Sequence, residues 1–172
     1  MKSAAEIPLF AEEQASDLAE AVSVVSQMRQ VKLGRIVVIG YSFGARAALR
    51  LAMRDPKITG IVSIDGGIGT ASGAASIENL PSRPLKRLPA ILHFYGDVDP
   101  FMQADFAFLD AVPSRSLRKE LAHGMRHAHF TSIGYGAVMI PEIAQVTKAP
   151  ADVGATLRRV ASQTLNFVRQ HD

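Results

Sequence analysis

Four short runs of consecutive apolar residues punctuate the chain, and between them apolar positions recur at spacings of three and four. The runs are "GRIVVIG" (34–40), "ITGIVSID" (58–65), "AILHFYG" (90–96) and the more polar "SLRKELAH" (116–123). Their length and β-branched content predict strands; the first three read as buried and the fourth as a sheet edge. Over 12–30, Leu18, Val22, Val25 and Met28 fall on one helical face, with Ser16 and Asp17 as candidate caps. A second helix is predicted from Ala45 to about Arg54, ending ahead of Pro56 because proline disfavours helical geometry in the residue before it. A third is predicted over "MQADFAFLDAV" (102–112). The last opens at Pro150 and would bury Val153, Leu157, Val160, Thr164, Leu165 and Val168. Residues 66–89 and 123–149 read as long connections. Apolar strands alternating with helices predict an α/β fold: one domain over 1–172, a mainly parallel sheet of about four strands, and flanking helices. In such sheets ligands and chemistry gather at the carboxyl ends of the strands.

Composition narrows the function classes. With 48% apolar residues in a chain of 172, a packed core is affordable and disorder is excluded. There is no cysteine, which removes disulfides, thiolate nucleophiles and thiolate metal sites. A formal charge of +3, dispersed along the chain, does not favour a nucleic-acid partner. The densest basic run, "SRPLKR" (82–87), is broken by proline and reads as a solvated loop. No apolar stretch approaches the length of a membrane span, and "MKSAAEIPLF" lacks the apolar core of a signal peptide. The default expectation is therefore a cytoplasmic protein without a membrane partner.

The chemistry enters at the end of the first strand. Gly40-Tyr41-Ser42-Phe43-Gly44 has the spacing G-x-S-x-G of a nucleophile elbow, with Ser42 on a tight strand-to-helix turn. Crowding on such a turn predicts that both flanking glycines, Gly40 and Gly44, must lack a side chain. Gly96-Asp97-Val98-Asp99-Pro100 follows the third strand, and "HGMRHAHF" (123–130) follows the fourth. A nucleophilic serine needs a base to take its proton, and the base needs a carboxylate to hold its tautomer. Serine, acid and histidine in that chain order, each at a strand end, match the order of an α/β-hydrolase triad.

On "GYSFG", "IVSIDGG", "YGDVDP" and "HAHF" the sequence resembles the α/β-hydrolase superfamily from about residue 16 onward. Within it, the sequence is similar to dienelactone-hydrolase-like and platelet-activating-factor-acetylhydrolase-like esterases. The resemblance implies a serine esterase: Ser42 as nucleophile, Asp99 as the acid in G-x-x-D, and His127 as the base in H-x-x-F. His129, directly before Phe130, is the runner-up base. Asp97 is the runner-up acid, with a turn-capping role as its plainer reading. The N–H of Phe43 would donate to the oxyanion. A small-molecule ester is the implied substrate, with no cofactor and no metal, since no H-E-x-x-H or comparable ligand spacing occurs.

The same resemblance implies a shortened fold. In the family, several strands precede the elbow; here there is room for one helix, so the chain corresponds to the C-terminal portion. The strand-three loop that gives the second oxyanion donor has no counterpart, because "EIPLFAEE" has no glycine. Loss of one such donor costs on the order of a hundred- to a thousandfold in rate. The elbow strand would also lie at a sheet edge, which predicts a homodimer or a missing N-terminal half. Two other readings stay open: a noncatalytic α/β-hydrolase-like binding module, and a peptidase or acyltransferase on the same fold. His93, within the third strand, reads as a hydrogen-bonded core residue, and "GGIG" (66–69) as a crossover, with Asp65 closing its strand.

Overall fold

The computed structural model describes residues 6–31, 35–78 and 88–171; the basic run at 82–87 lies outside them. Four strands form one parallel sheet in chain order: β1 (Ile36–Tyr41), β2 (Ile58–Ile64), β3 (Ala90–Gly96) and β4 (Leu117–Ala122). Around them lie α1 (Ile7–Val25), α2 (Gly44–Ala52), α3 (Ala107–Ala111), α4 (Ser132–Met139), α5 (Pro141–Thr147) and α6 (Val153–His171).

Side-chain alternation divides the core into two layers. Val38, Ile61 and Ile91 face one side, where Ala45, Ala48 and Leu49 of α2 close on them and Leu18 and Val22 of α1 pack from the flank. Val62, Leu92 and Phe94 face the other side and meet Val160 and Phe167 of α6. A smaller cluster of Ala122, Met125, Ala137, Val153 and Leu157 seats α4 against α6. Both faces of β2 and β3 are thus covered, which is why they read as continuous apolar runs. Among the described residues the polar β4 lies at one edge, as expected, and β1 at the other.

Several elements differ from the sequence expectation. The first helix starts at Ile7, not near residue 12, and ends at Val25. Pro8 sits at its first turn, where a missing N–H and a preset φ cost nothing. Ile7, Pro8, Ala11 and Ala15 are its buried residues, so "EIPLFAEE" is used as helix rather than as a strand loop. The expected helix over 102–112 contracts to α3, with the Asp105 carboxylate accepting the Ala107 N–H at its start. The connection 123–149 is not a plain loop. It holds a 3-10 turn at His127–Phe130 and the helices α4 and α5, started by the Thr131 hydroxyl and by Pro141. In α6 Leu165 is exposed, and Phe167 takes the inward position.

Two buried arginines of α2 tie the helix to the crossover after β2. The Arg46 guanidinium donates to the Ser72 carbonyl (2.6 Å) and to the hydroxyls of Ser72 (2.7 Å) and Ser76 (2.9 Å). Arg50 donates to the Glu12 carboxylate on α1 (2.7 Å) and to the carbonyls of Ser76 and Glu78. Buried guanidinium groups require such saturation, because each unmatched donor would cost about 1–3 kcal/mol. The result is a fixed platform beneath the carboxyl ends of β1 and β2.

Candidate active site

Ser42 stands one residue beyond β1 with φ 54°, in the left-handed region that a non-glycine residue enters only when its surroundings impose it. The imposition is visible. The Ser42 N–H donates to the Ile64 carbonyl (3.1 Å), extending the sheet ladder by one bond. Its carbonyl then accepts from Gly67 (3.2 Å) and Ala45 (3.4 Å) as α2 begins. A Cβ on Gly40 would lie 2.6 Å from the backbone of Gly44 and Ala45, so only glycine allows this turn. The expectation for Gly44 is corrected: among the described residues a Cβ there meets nothing within 4 Å, so the turn does not require glycine at that position.

The register of β1 and β2 pairs Tyr41 with Ile64, which brings Asp65 beside Ser42. Asp65 is also strained, at φ 44°, and is 3% exposed. Its Oδ1 accepts the Gly96 N–H (3.1 Å), and its Oδ2 lies 2.7 Å from His127 Nδ1. The other ring nitrogen, His127 Nε2, lies 2.9 Å from Ser42 Oγ. With a proton on Nδ1 held by Asp65, Nε2 is left as an acceptor for the serine hydroxyl.

This geometry departs from the expectation that Asp99 holds the histidine ring. Asp99 Oδ2 accepts the backbone N–H of His127 (3.0 Å), and its Oδ1 accepts from Phe101 (2.9 Å). Partial burial works against its ionisation, but these two N–H donors, with the charges of His127 and Arg126, hold its pKa below the ordinary carboxylate value. Asp99 thus anchors the loop that bears the histidine, while Asp65 faces the ring. The physical reason is proximity: the ring lies over the ends of β1 and β2, where Asp65 is the adjacent carboxylate. Asp97, the other acid weighed, accepts the Gly124 N–H (2.7 Å) and meets His123 Nδ1 (2.5 Å), stapling β3 to the turn after β4.

The runner-up base has no nitrogen to spare. His129 is fully buried; its Nδ1 accepts the Arg126 N–H (3.0 Å) and its Nε2 donates to the Thr147 carbonyl (3.1 Å). Burial, only partly offset by the Thr147 carbonyl, lowers its pKa and keeps it neutral. His93 is likewise internal, with Nδ1 2.8 Å from Ser63 Oγ, and burial pushes it down to about 4. Phe43 sits at the N-terminal end of α2, where backbone N–H groups have no partner within the helix. Among the described residues no group of three or more histidines, aspartates and glutamates is arranged to hold a metal.

The sequence reading missed Asp65 as a site residue. The sequence shows only an aspartate closing its strand ahead of Gly66-Gly67; that this strand lies beside the elbow strand comes from the sheet order.

A strained serine at the end of a parallel strand, hydrogen-bonded to a histidine on the loop after the last strand, defines a site of the α/β-hydrolase type. Residues 7–166 match the alpha/beta hydrolase family, and the chain belongs to it. Among solved structures, an alpha/beta hydrolase from Agrobacterium tumefaciens is 24% identical, with 66% of this chain aligned to 50% of that one at a TM-score of 0.47. A yden-like hydrolase from Pectobacterium atrosepticum is 18% identical over 81% of this chain and 71% of its own, with a TM-score of 0.48. Esterase PE8 is 17% identical, covering 83% of this chain and 66% of its own, with a TM-score of 0.51. The chain therefore spans between 50% and 71% of the length of these structures. A comparison with curated proteins found no match.

Proposed function

We propose that this protein is a serine hydrolase acting on carboxylic esters through an acyl-enzyme. The observation that carries the reading is the continuous line from Asp65 Oδ2 through the His127 ring to Ser42 Oγ, at 2.7 Å and 2.9 Å. In this mechanism Ser42 Oγ attacks the ester carbonyl while His127 Nε2 takes its proton. Asp65 holds the Nδ1 proton and faces the imidazolium that forms. The carbonyl oxygen becomes an oxyanion stabilised by the Phe43 N–H at the start of α2. His127 returns the proton to the departing alcohol. A water then attacks the acyl-Ser42 carbonyl with His127 again as base, and Ser42 is released.

This assignment keeps Ser42 and His127 of the dienelactone-hydrolase-like pattern and moves the acid from Asp99 to Asp65. The choice of esters follows from the resemblance of "GYSFG" and "HAHF" to the dienelactone-hydrolase-like esterases. Steady-state hydrolysis of p-nitrophenyl acetate and butyrate tests the reading. Turnover by the wild type, lost on Ser42→Ala to the level of buffer alone, is the expected result. Equal turnover by the alanine variant would exclude Ser42 as the nucleophile.

A further inference from the structure

We infer that Tyr41 is a positioning residue for His127, an inference that rests on the reading of His127 as the base. Tyr41 touches the histidine twice. Its ring stacks on the imidazole, with centroids 4.7 Å apart and planes inclined by 20°. Its hydroxyl donates to the His127 backbone carbonyl at 3.1 Å. Burial, reinforced by the charges of Asp65 and Asp99, raises the Tyr41 pKa, so the phenol keeps the proton it donates.

The other contacts explain why this one matters. Asp65 holds Nδ1, Asp99 holds the His127 backbone N–H, and Ser42 faces Nε2. Two of these hold the ring nitrogens and one holds the backbone; the contact with the face of the ring is the Tyr41 stack. The Tyr41 hydroxyl closes the remaining backbone group of His127. Tyr41 immediately precedes Ser42, on the last residue of β1. The base is therefore registered against the nucleophile by the neighbouring residue on the same strand. When His127 carries the serine proton, the phenol ring also presents its electron-rich face to the cation.

Three variants separate the ring from the hydroxyl. Tyr41→Phe keeps the stack and loses the hydrogen bond; Tyr41→Leu and Tyr41→Met lose both, and two apolar replacements guard against one failing to fold. Hydrolysis of p-nitrophenyl acetate should fall within about threefold of wild type for Phe. For Leu and Met, kcat should fall by about 10- to 100-fold with KM unchanged, as for a displaced reacting group. Proton NMR of the His127 ring gives a readout that does not require turnover. Sharp, ring-current-shifted signals are expected in the wild type and Phe variant, and broadened signals lacking that shift in Leu and Met. Folded Leu or Met variants with wild-type kcat, or equal losses in Phe and Leu, would overturn the inference. If the wild type turns over no ester, the proposed function fails separately. The His127 signals then decide: unchanged between wild type and Leu or Met they overturn the positioning role, and altered as described they support it.

Discussion

The candidate site depends on two residues held in left-handed backbone, Ser42 and Asp65, each one residue beyond the end of one of two adjacent strands. Each is held by its own hydrogen bonds: the Ser42 carbonyl receives the Gly67 N–H, while Asp65 donates its N–H to the Phe94 carbonyl (2.8 Å) and receives the Gly96 N–H on its carboxylate. The two carboxylates near His127 should then behave differently. Asp65→Asn replaces the acceptor at Nδ1 with a group that favours the wrong tautomer, and kcat for p-nitrophenyl acetate should drop by roughly 10³- to 10⁴-fold. Asp99→Asn weakens an anchor on the backbone, and a loss of about tenfold or less is expected. The reverse ranking would return the acid role to Asp99. The elbow turn and the meeting of Ser42 with His127 were legible in the sequence because both residues stand in short motifs with fixed local spacing. Asp65 was not, because its role arises from the β1–β2 register and the fold of the crossover, neither of which a spacing rule contains. The elbow glycines differ: a Cβ on Gly40 would meet the backbone of Gly44 and Ala45, whereas one on Gly44 would meet nothing among the described residues. Gly40→Ala should destabilise by about 1–3 kcal/mol, while Gly44→Ala should leave the melting temperature unchanged or raise it.

At the scale of elements, the strands were read nearly to the residue, since continuous apolar runs leave few alternatives. The connections were read less well. Residues 123–149 contain α4 and α5, whose stability comes from packing on α6 and on each other rather than from a strong local pattern. The early start of α1 was hidden for a related reason: beyond Ile7 its buried face there is built from Pro8 and alanines, which make a weak apolar stripe. Glu12 on α1 joins two helices through its contacts with Arg50 and Arg54. The Arg54 hydrogen bond, aided by Arg50 and opposed by partial burial, lowers the Glu12 pKa from 4.5 to about 2. A depressed carboxylate stabilises the fold above its unfolded value, and that contribution is lost as pH falls from about 4.5 toward 2. Glu12 is 41% exposed, so solvent screening limits the pair to about 1 kcal/mol. Glu12→Gln should lower the melting temperature by about 2–4 °C at pH 7, with the gap to wild type closing below pH 4.5. A gap independent of pH between 7 and 3 would show that the charge of Glu12 is not what joins the helices.

At the scale of the molecule, among the described residues β1 pairs only with β2, and Ile39 on its outer side is 52% exposed. Along this edge runs a groove of about 550 Å3, lined by Leu18, Val22 and Val25 of α1, Ile36 and Val37 of β1, and Val168 of α6. The apolar stripe of α1 thus continues past the sheet instead of ending at it. We propose that a second copy of the chain covers this edge, since an apolar strand with unpaired backbone groups favours pairing. Sedimentation velocity over a concentration series should show a dimer, weakened by Ile39→Lys; a monomer at every concentration would remove this assembly. The edge is distinct from the proposed Ser42 chemistry, whose groups come from the ends of β1 and β2 and from the His127 turn. The nucleophilic role proposed for Ser42 is the central claim, and intact-mass analysis after exposure to a fluorophosphonate tests it most directly. One adduct per chain, mapped to Ser42, absent in Ser42→Ala and formed much more slowly in Asp65→Asn, is the predicted result. A wild-type chain that stays unmodified, or an alanine variant modified at the same rate, would contradict it.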